Sequence, residues 1–277
     1  MSSLPLTDLS KLCIHTITTK PWTIEEAAKN YADNGVKGIT VWRDSLLNRN
    51  IKQTGEMLRQ HDLTIVSLCR GGFFPGKELR KRQAAIDDNR RAIEEAFELG
   101  SKMIVLVCGA DPAQSLEDSR KQIQDGINAI LPEAKSAGVK LAIEPLHPMY
   151  ADTRSAINTL AQANDMTEAF NSPSVGVAID LYHTWWDPNL GKEIRRCGEN
   201  NSLLAFHICD WRSPTTDLLN DRGLMGEGCI PVRKIRSWVE ATGFNGFIEV
   251  EIFSTEYWKT DQNEFLRRIL DAYREHA

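Results

Sequence analysis

Residues 140–180 read KLAIEPLHPMYADTRSAINTLAQANDMTEAFNSPSVGVAID, and this stretch holds the pattern that decides the fold. It opens with an apolar run (140–145), continues with a segment of helical character (153–165) and closes with a second apolar run (175–180). Both runs are continuously apolar rather than alternating, which is typical of parallel strands whose two faces are covered. The stretch therefore predicts one strand–helix–strand unit of a parallel sheet.

The same unit recurs in both directions along the chain. We predict eight strands that alternate with helices, which indicates a single (β/α)8 TIM barrel over residues 1–277. An open doubly wound sheet is the alternative, but its first strand is normally followed by a glycine-rich phosphate turn, and the residues there read TITTKPW. The remaining predicted strands are 12–16, 38–42, 63–69, 103–109, 202–210 and 247–253, and the remaining predicted helices are about 23–34, 50–61, 78–99, 115–137, 188–197, 231–241 and 261–275.

Composition excludes several classes of partner. The net charge is −5 and the isoelectric point about 5.8, which argues against a nucleic-acid partner because phosphates require a basic face. No apolar stretch approaches the length of a membrane span, and the N-terminal residues lack the pattern of a signal peptide. The six cysteines are scattered without a C-x-x-C pair. We therefore expect a cytoplasmic protein with reduced thiols in its core.

Ionisable side chains stand at the carboxyl ends of four consecutive predicted strands, where active sites of such barrels lie: Glu144, Asp180, His207 and Glu251. Ionisable groups in apolar runs are costly unless they are paired or bind a cation. Three carboxylates and one imidazole suit Mn²⁺, Mg²⁺ or Co²⁺, and Zn²⁺ is a further option. We predict a divalent-metal site with Mn²⁺ as the first choice. Glu249 and Glu251 lie on the same strand face, so alternation alone leaves the choice between them open.

Other polar and aromatic residues near the strand ends are candidates for contacts with a substrate: Arg70, His147, His183, Trp186 and Arg212. Four of them also have a structural interpretation. His183 could pack on the neighbouring tryptophans, His147 could be a loop histidine, and Arg212 could form a salt bridge to Asp210. Trp186 could stack on a sugar ring or pack against a helix. Arg70 precedes Gly-Gly-Phe-Phe, which could form part of a substrate loop.

The chain resembles the xylose-isomerase-like TIM-barrel superfamily of sugar (phosphate) isomerases and epimerases over nearly its whole length. The resemblance rests on LAIEPLHP, VGVAIDLYHTWWDP, LLAFHICDW, DLLNDRGLMGEGCIPVRKI and GFNGFIEVEIF. It implies that the four strand-end residues are the metal ligands, and it favours Glu251 over Glu249 because a hydrophobic–Phe pair follows the family's glutamate. It also implies that His183 lies near metal and substrate and that Arg212 binds substrate oxygens.

The resemblance implies a divalent-metal-dependent isomerase or epimerase of a keto-sugar or related polyol ketone. A proton next to the carbonyl is removed, a metal-stabilised enediolate forms, and Glu144 and Glu251 act as the acid–base pair. His147 in EPLHP is an extra imidazole that could assist a leaving group, so a lyase or dehydratase is an alternative, either inosose dehydratase-like or acting on a 3-keto-glycoside. A non-catalytic sugar-binding barrel is a third interpretation. Whether the substrate is phosphorylated, and whether the chain forms a homo-oligomer or binds a partner subunit, stay open.

Overall fold

Eight parallel strands close into a barrel in the computed structural model, which describes residues 6–277. Residues 1–5, part of the N-terminal stretch expected to carry no signal peptide, lie outside the described range. The strands are β1 (Leu12–His15), β2 (Gly38–Trp42), β3 (Thr64–Gly72), β4 (Met103–Val107), β5 (Lys140–Glu144), β6 (Val175–Asp180), β7 (Leu203–Ile208), the hairpin strands β8 (Asp210–Trp211) and β9 (Arg222–Gly223), and β10 (Ile248–Val250). Around the barrel the order is β1, β10, β7, β6, β5, β4, β3, β2. The predicted TIM-barrel fold is therefore confirmed.

Helices follow the barrel strands and cover their outer faces. They are α1 (Ile24–Asp33), α2 (Ile51–Gln60), α3 (Leu79–Leu99), α4 (Leu116–Ala137), α5 (Leu160–Phe170), α6 (Leu181–Thr184), α7 (Leu190–Glu199), α8 (Val232–Ala241) and α9 (Gln262–His276). Within the described range, no helix combines the length and apolar character that crossing a membrane requires. None of the six cysteines forms a disulfide; five are buried, whereas Cys229 is exposed and departs from the expected core position.

Helix α1 shows how local sequence sets the boundaries of these elements. Thr23 and Glu26 form a capping box: the Glu26 N–H donates to Thr23 Oγ1 (3.2 Å), and the Thr23 N–H donates to Glu26 Oε2 (2.8 Å). Ile24, Ala27, Ala28 and Tyr31 form its buried face with helical spacing. These residues join the apolar layer between helices and barrel, which holds most of the core.

The helix predicted at 153–165 begins later than expected, at Leu160. The preceding residues instead pair with the end of β4: the Gly109 N–H donates to the Arg154 carbonyl (2.8 Å), and the Ala156 N–H donates to the Gly109 carbonyl (2.9 Å). This pairing removes the segment from the helix, and Thr159 then caps α5. The loop after β5 consequently lies along the mouth of the barrel rather than on its outside.

Candidate metal centre

The four predicted ligands come together at the carboxyl end of the barrel. Glu144 and Asp180 are the last residues of β5 and β6, His207 lies one residue before the end of β7, and Glu251 directly follows β10. All four side chains are buried, and one ligand atom from each lies within 4.8 Å of the others. Three carboxylates and an imidazole therefore face a common point.

The ligand atoms have the environment that a divalent cation would complete. Glu144 Oε1 lies 3.2 Å from His207 Nδ1, and Glu251 Oε2 lies 3.7 Å from the same nitrogen. Glu144 Oε1 and His207 Nδ1 are nevertheless buried without an aligned hydrogen-bond partner. Buried polar atoms are normally satisfied, and a cation bound to this oxygen-rich set would satisfy both. The arrangement supports a divalent-metal site.

Glu249 occupies a different position from Glu251, although the two share a strand face. Its Oε2 accepts a hydrogen bond from Thr40 Oγ1 (2.5 Å) and lies 3.1 Å from His15 Nε2, while its Oε1 lies 3.7 Å from His207 Nε2. Glu251 thus belongs to the ligand cluster, and Glu249 faces the opposite ring nitrogen of His207.

Arg222, the first residue of β9, is a buried part of the site that the sequence analysis did not single out. Its Nη1 donates to Asp180 Oδ2 (2.9 Å) and Glu251 Oε2 (3.0 Å), and its Nη2 lies 3.3 Å from His183 Nε2. The guanidinium stacks on the Tyr182 ring at 4.3 Å. Burial opposes its charge, but the two carboxylates more than offset this and raise the pKa of Arg222 well above its usual range. A permanent cation therefore joins two of the predicted ligands.

The family model described as xylose isomerase-like TIM barrel matches residues 28–274. The chain belongs to the xylose isomerase-like TIM-barrel family. A protein from Sinorhizobium meliloti 1021, known from a crystal structure, is 44% identical to it and superposes with a TM-score of 0.94, covering 98% of this chain and 99% of that one. The expected family resemblance is confirmed.

Two family relatives have named activities. The inosose isomerase of Bacillus velezensis is 24% identical over 228 residues, which cover 80% of this chain and 79% of the relative. The 3-dehydro-D-guloside 4-epimerase of Escherichia coli is 24% identical over 245 residues, which cover 83% of this chain and 87% of the relative. Isomerase and epimerase names thus accompany the family fold.

Three of the residues expected to contact a substrate line the mouth above the ligands. His183 is buried, and its Nε2 lies 3.6 Å from Asp180 Oδ2. The ring of His147 lies 5.6 Å from that of Trp186, and the Trp186 indole N–H donates to the His183 carbonyl (2.8 Å). The His183 ring contacts the rings of Tyr150 and Tyr182 rather than the tryptophans considered from the sequence, whereas Trp186 packs on His147.

The two predicted substrate arginines lie in different surroundings. Arg212 forms ion pairs with three acidic residues, none of them the Asp210 considered from the sequence: Asp221 (3.4 Å), Glu227 (3.2 Å) and Glu256 (2.5 Å). The guanidinium of Arg212 thus lies in a network of ion pairs. Arg222, not Arg212, contacts the candidate ligands. Arg70 lies at the end of β3 with its guanidinium over the Phe73 ring at 4.3 Å.

We expect Glu249→Gln to weaken divalent-metal binding by about 10- to 100-fold. A carboxylate opposite the second ring nitrogen orients a ligating histidine and increases its basicity, and a neutral amide loses most of this effect. Metal titration of chelator-treated protein measures the change. Glu193→Gln is the matched control, because Glu193 is a buried glutamate that contacts Asn164 and Arg196 in the outer helices. Equal affinities in wild type and Glu249→Gln would contradict the prediction.

Metal binding near pH 7 should release at least about one proton. Burial alone would lower the pKa of His207, but the charges of Glu249 and Glu251 and the contact with Glu144 raise it well above its usual range. The metal-free ring is therefore protonated, and a cation must displace that proton, so affinity increases as pH rises. Calorimetry in buffers of different ionisation enthalpy counts the protons, and release of none would contradict the prediction.

Proposed function

We propose that this chain is a divalent-metal-dependent isomerase or epimerase of a keto-sugar or related polyol ketone. The observation that carries the proposal is the convergence of Glu144, Asp180, His207 and Glu251 within 4.8 Å at the mouth of the barrel. The inosose isomerase and 3-dehydro-D-guloside 4-epimerase among the relatives support the same class of reaction. Mn²⁺ is the proposed ion, because carboxylate-rich sites with a single imidazole suit it.

We assign the proton transfer next to the substrate carbonyl to two carboxylates. When bound, the metal supplies polarisation of the carbonyl and charge stabilisation for the enediolate oxygen. Glu144 on β5 and Glu251 after β10 are separated by β6 and β7 around the barrel, so they approach the mouth from different sides. One removes the proton, and the other returns it to the opposite face or to the neighbouring carbon. The first outcome is epimerisation and the second is aldose–ketose isomerisation.

His183 is suited to hold a substrate oxygen. Burial and the nearby charge of Arg222 lower its pKa well below the usual range, so the ring is neutral. Its Nε2 faces Arg222 Nη2 at 3.3 Å and acts as the acceptor, which leaves the proton on Nδ1. That Nδ1 is buried and has no hydrogen-bond partner. A hydroxyl or carbonyl oxygen of the substrate would supply the missing acceptor.

Elimination is a second candidate reaction, and His147 is the residue that favours it. His147 Nδ1 accepts a hydrogen bond from the Met149 N–H (3.2 Å), so the neutral ring carries its proton on Nε2. Burial lowers the pKa of His147, which favours this neutral form. The Nε2–H can donate a hydrogen bond to the departing oxygen of a β-leaving group, while the carboxyl group protonated in the first step supplies the proton. Such an elimination would make the enzyme a lyase or dehydratase.

The test uses protein stripped with a chelator and reloaded with Mn²⁺, incubated in D₂O with ketoses, inososes and 3-keto-glycosides. Metal-dependent deuterium uptake next to a carbonyl, followed by NMR, is the expected result, and the product distinguishes epimer, isomer and elimination. If His147→Ala retains turnover, the elimination candidate fails. Metal-free protein that binds sugar as well as the loaded protein, without any uptake, would instead indicate a non-catalytic sugar-binding barrel.

A further inference from the structure

Two half-buried arginines near the mouth of the barrel have no anionic partner. Within residues 6–277, neither Arg70 nor Arg154 forms an ion pair or a side-chain hydrogen bond, and each guanidinium lies over an aromatic ring: Arg70 over Phe73 at 4.3 Å and Arg154 over Tyr150 at 5.7 Å. The neighbouring Arg43 behaves differently, because Asp88 and Glu95 neutralise it through four hydrogen bonds.

The backbone brings these two arginines to the same side of the mouth. The end of β4 lies between their segments: the Phe73 N–H donates to the Val107 carbonyl (2.9 Å), and the Gly109 N–H donates to the Arg154 carbonyl (2.8 Å). The approach is close, because a Cβ at Gly109 would lie 2.6 Å from Phe73 Cα. After burial, the positive charge of Arg154 is the main influence that lowers the pKa of Arg70, so the two cations are within electrostatic reach.

A short chain of ring contacts links this pair to the ligand cluster. The Tyr150 ring, on which Arg154 stacks, lies 5.7 Å from the His183 ring. His183 in turn lies 3.6 Å from Asp180 and 3.3 Å from Arg222. A sugar with its carbonyl at the ligands could therefore extend its far end toward Arg154 and Arg70.

We propose that Arg70 and Arg154 bind an oxyanion, a carboxylate or phosphate, carried by the keto-sugar substrate. The proposal rests on the proposed function and narrows its substrate class from neutral to anionic keto-sugars. Two like charges that influence each other while partly removed from water are unfavourable, and an anion between them would offset this cost. The guanidinium fork matches both kinds of oxyanion. Asp44 attracts Arg70 without forming an ion pair with it, so the fork remains open.

The stacked rings also fit a binding role. Each guanidinium lies over an aromatic ring, and such a contact reduces the side-chain freedom that is lost when an anion binds. Arginines without an anionic function commonly pair with acids, as Arg43 and Arg196 do here. Within residues 6–277, Arg70 and Arg154 instead form no ion pair, although they lie beside a carboxylate-rich centre where an approaching anion needs a compensating positive charge.

Three ketoses that differ only at carbon 6 test the proposal: D-fructose, D-fructuronate and D-fructose 6-phosphate. We expect Mn²⁺-loaded wild type to bind one charged ketose at least about tenfold more tightly than D-fructose, as measured by calorimetry. Arg70→Gln and Arg154→Gln should each weaken binding of the charged ketose about tenfold more than they weaken binding of D-fructose. Arg195→Gln, at an exposed position of α7, is the matched control. Preference for D-fructuronate identifies a sugar acid, and preference for the phosphate identifies a sugar phosphate.

A wild type without charge preference, or variants that weaken D-fructose and charged ketoses equally, would overturn the proposal. If no ketose binds, inorganic phosphate is titrated into chelator-treated protein instead. Phosphate binding that does not depend on Arg70 and Arg154 would also overturn the proposal. Equal deuterium uptake from neutral and charged ketoses would support the proposed function and contradict the anion site. Anion binding that depends on the two arginines, without deuterium uptake from any ketose, would support the anion site and contradict the proposed function.

Discussion

Glu144→Gln should lower metal-dependent deuterium exchange by at least about a thousandfold and weaken metal binding by at least about tenfold. The substitution preserves shape and removes the charge, so the cluster loses both a ligand and one of its two candidate proton carriers. Glu144 is buried with Oε1 directed at His207 Nδ1, 3.2 Å away. The exchange rate at saturating Mn²⁺ and the metal affinity are measured separately.

The Glu249→Gln variant separates these two roles. Saturating metal should restore its exchange rate, because Glu249 touches His207 from the side opposite the ligands. Saturating metal should not restore Glu144→Gln. If it did so to within about tenfold of wild type, Glu144 would be a ligand only, and the proton carrier would be another residue. Unchanged unfolding midpoints in chelator would show that neither variant is simply misfolded.

The barrel was predictable because its strands are buried on both faces, and such strands are visible as apolar runs without knowledge of their neighbours. The convergence of the candidate ligands was predictable for a related reason. In a closed parallel barrel all strands end at one rim, so ionisable residues at strand ends converge there whatever the intervening loops do. This is why Glu144, Asp180 and His207 could be singled out before their distances were known.

The late start of α5 and the role of Arg222 depend on contacts that no local pattern records. Residues 154–156 have helical character but pair with Gly109, which lies far away in sequence. Arg222 reaches Asp180 only because the Asp210–Trp211 strand pairs with the Arg222–Gly223 strand inside a segment expected to be a loop. The sequence favoured Arg212 as the arginine near the ligands because it lies closer to His207 along the chain. The hairpin instead directs Arg222 toward the ligands.

In chelator, Arg222→Met should lower the free energy of unfolding by about 3–5 kcal/mol, because it leaves Asp180 and Glu251 buried without their cation. Saturating Mn²⁺ should restore part of the loss, since a divalent ion binds folded ligands and compensates the same carboxylates. Urea unfolding with and without metal measures both values.

Arg212→Met is the matched control. Its partners are the more exposed Asp221, Glu227 and Glu256, so we expect a loss of about 1 kcal/mol or less that does not respond to metal. An Arg222→Met loss that metal leaves untouched would mean that the guanidinium supports only the packing around Tyr182 and Phe253, over whose rings it lies.

The Arg222→Met loss should also grow as pH rises from 6 to 8. Burial raises the pKa of Asp180 to about 7 even though Arg222 lowers it, so removal of the guanidinium raises it further above the unfolded value. A carboxyl whose folded pKa is raised is destabilising once ionised, and its cost therefore increases with pH up to that pKa. Near pH 6 Asp180 stays protonated in the folded variant. At pH 8 the buried carboxyl opposes ionisation that is free in the unfolded chain, so the free energy of unfolding of the variant falls further below that of the wild type. Equal losses at both pH values would show that the charge of Asp180 does not depend on Arg222.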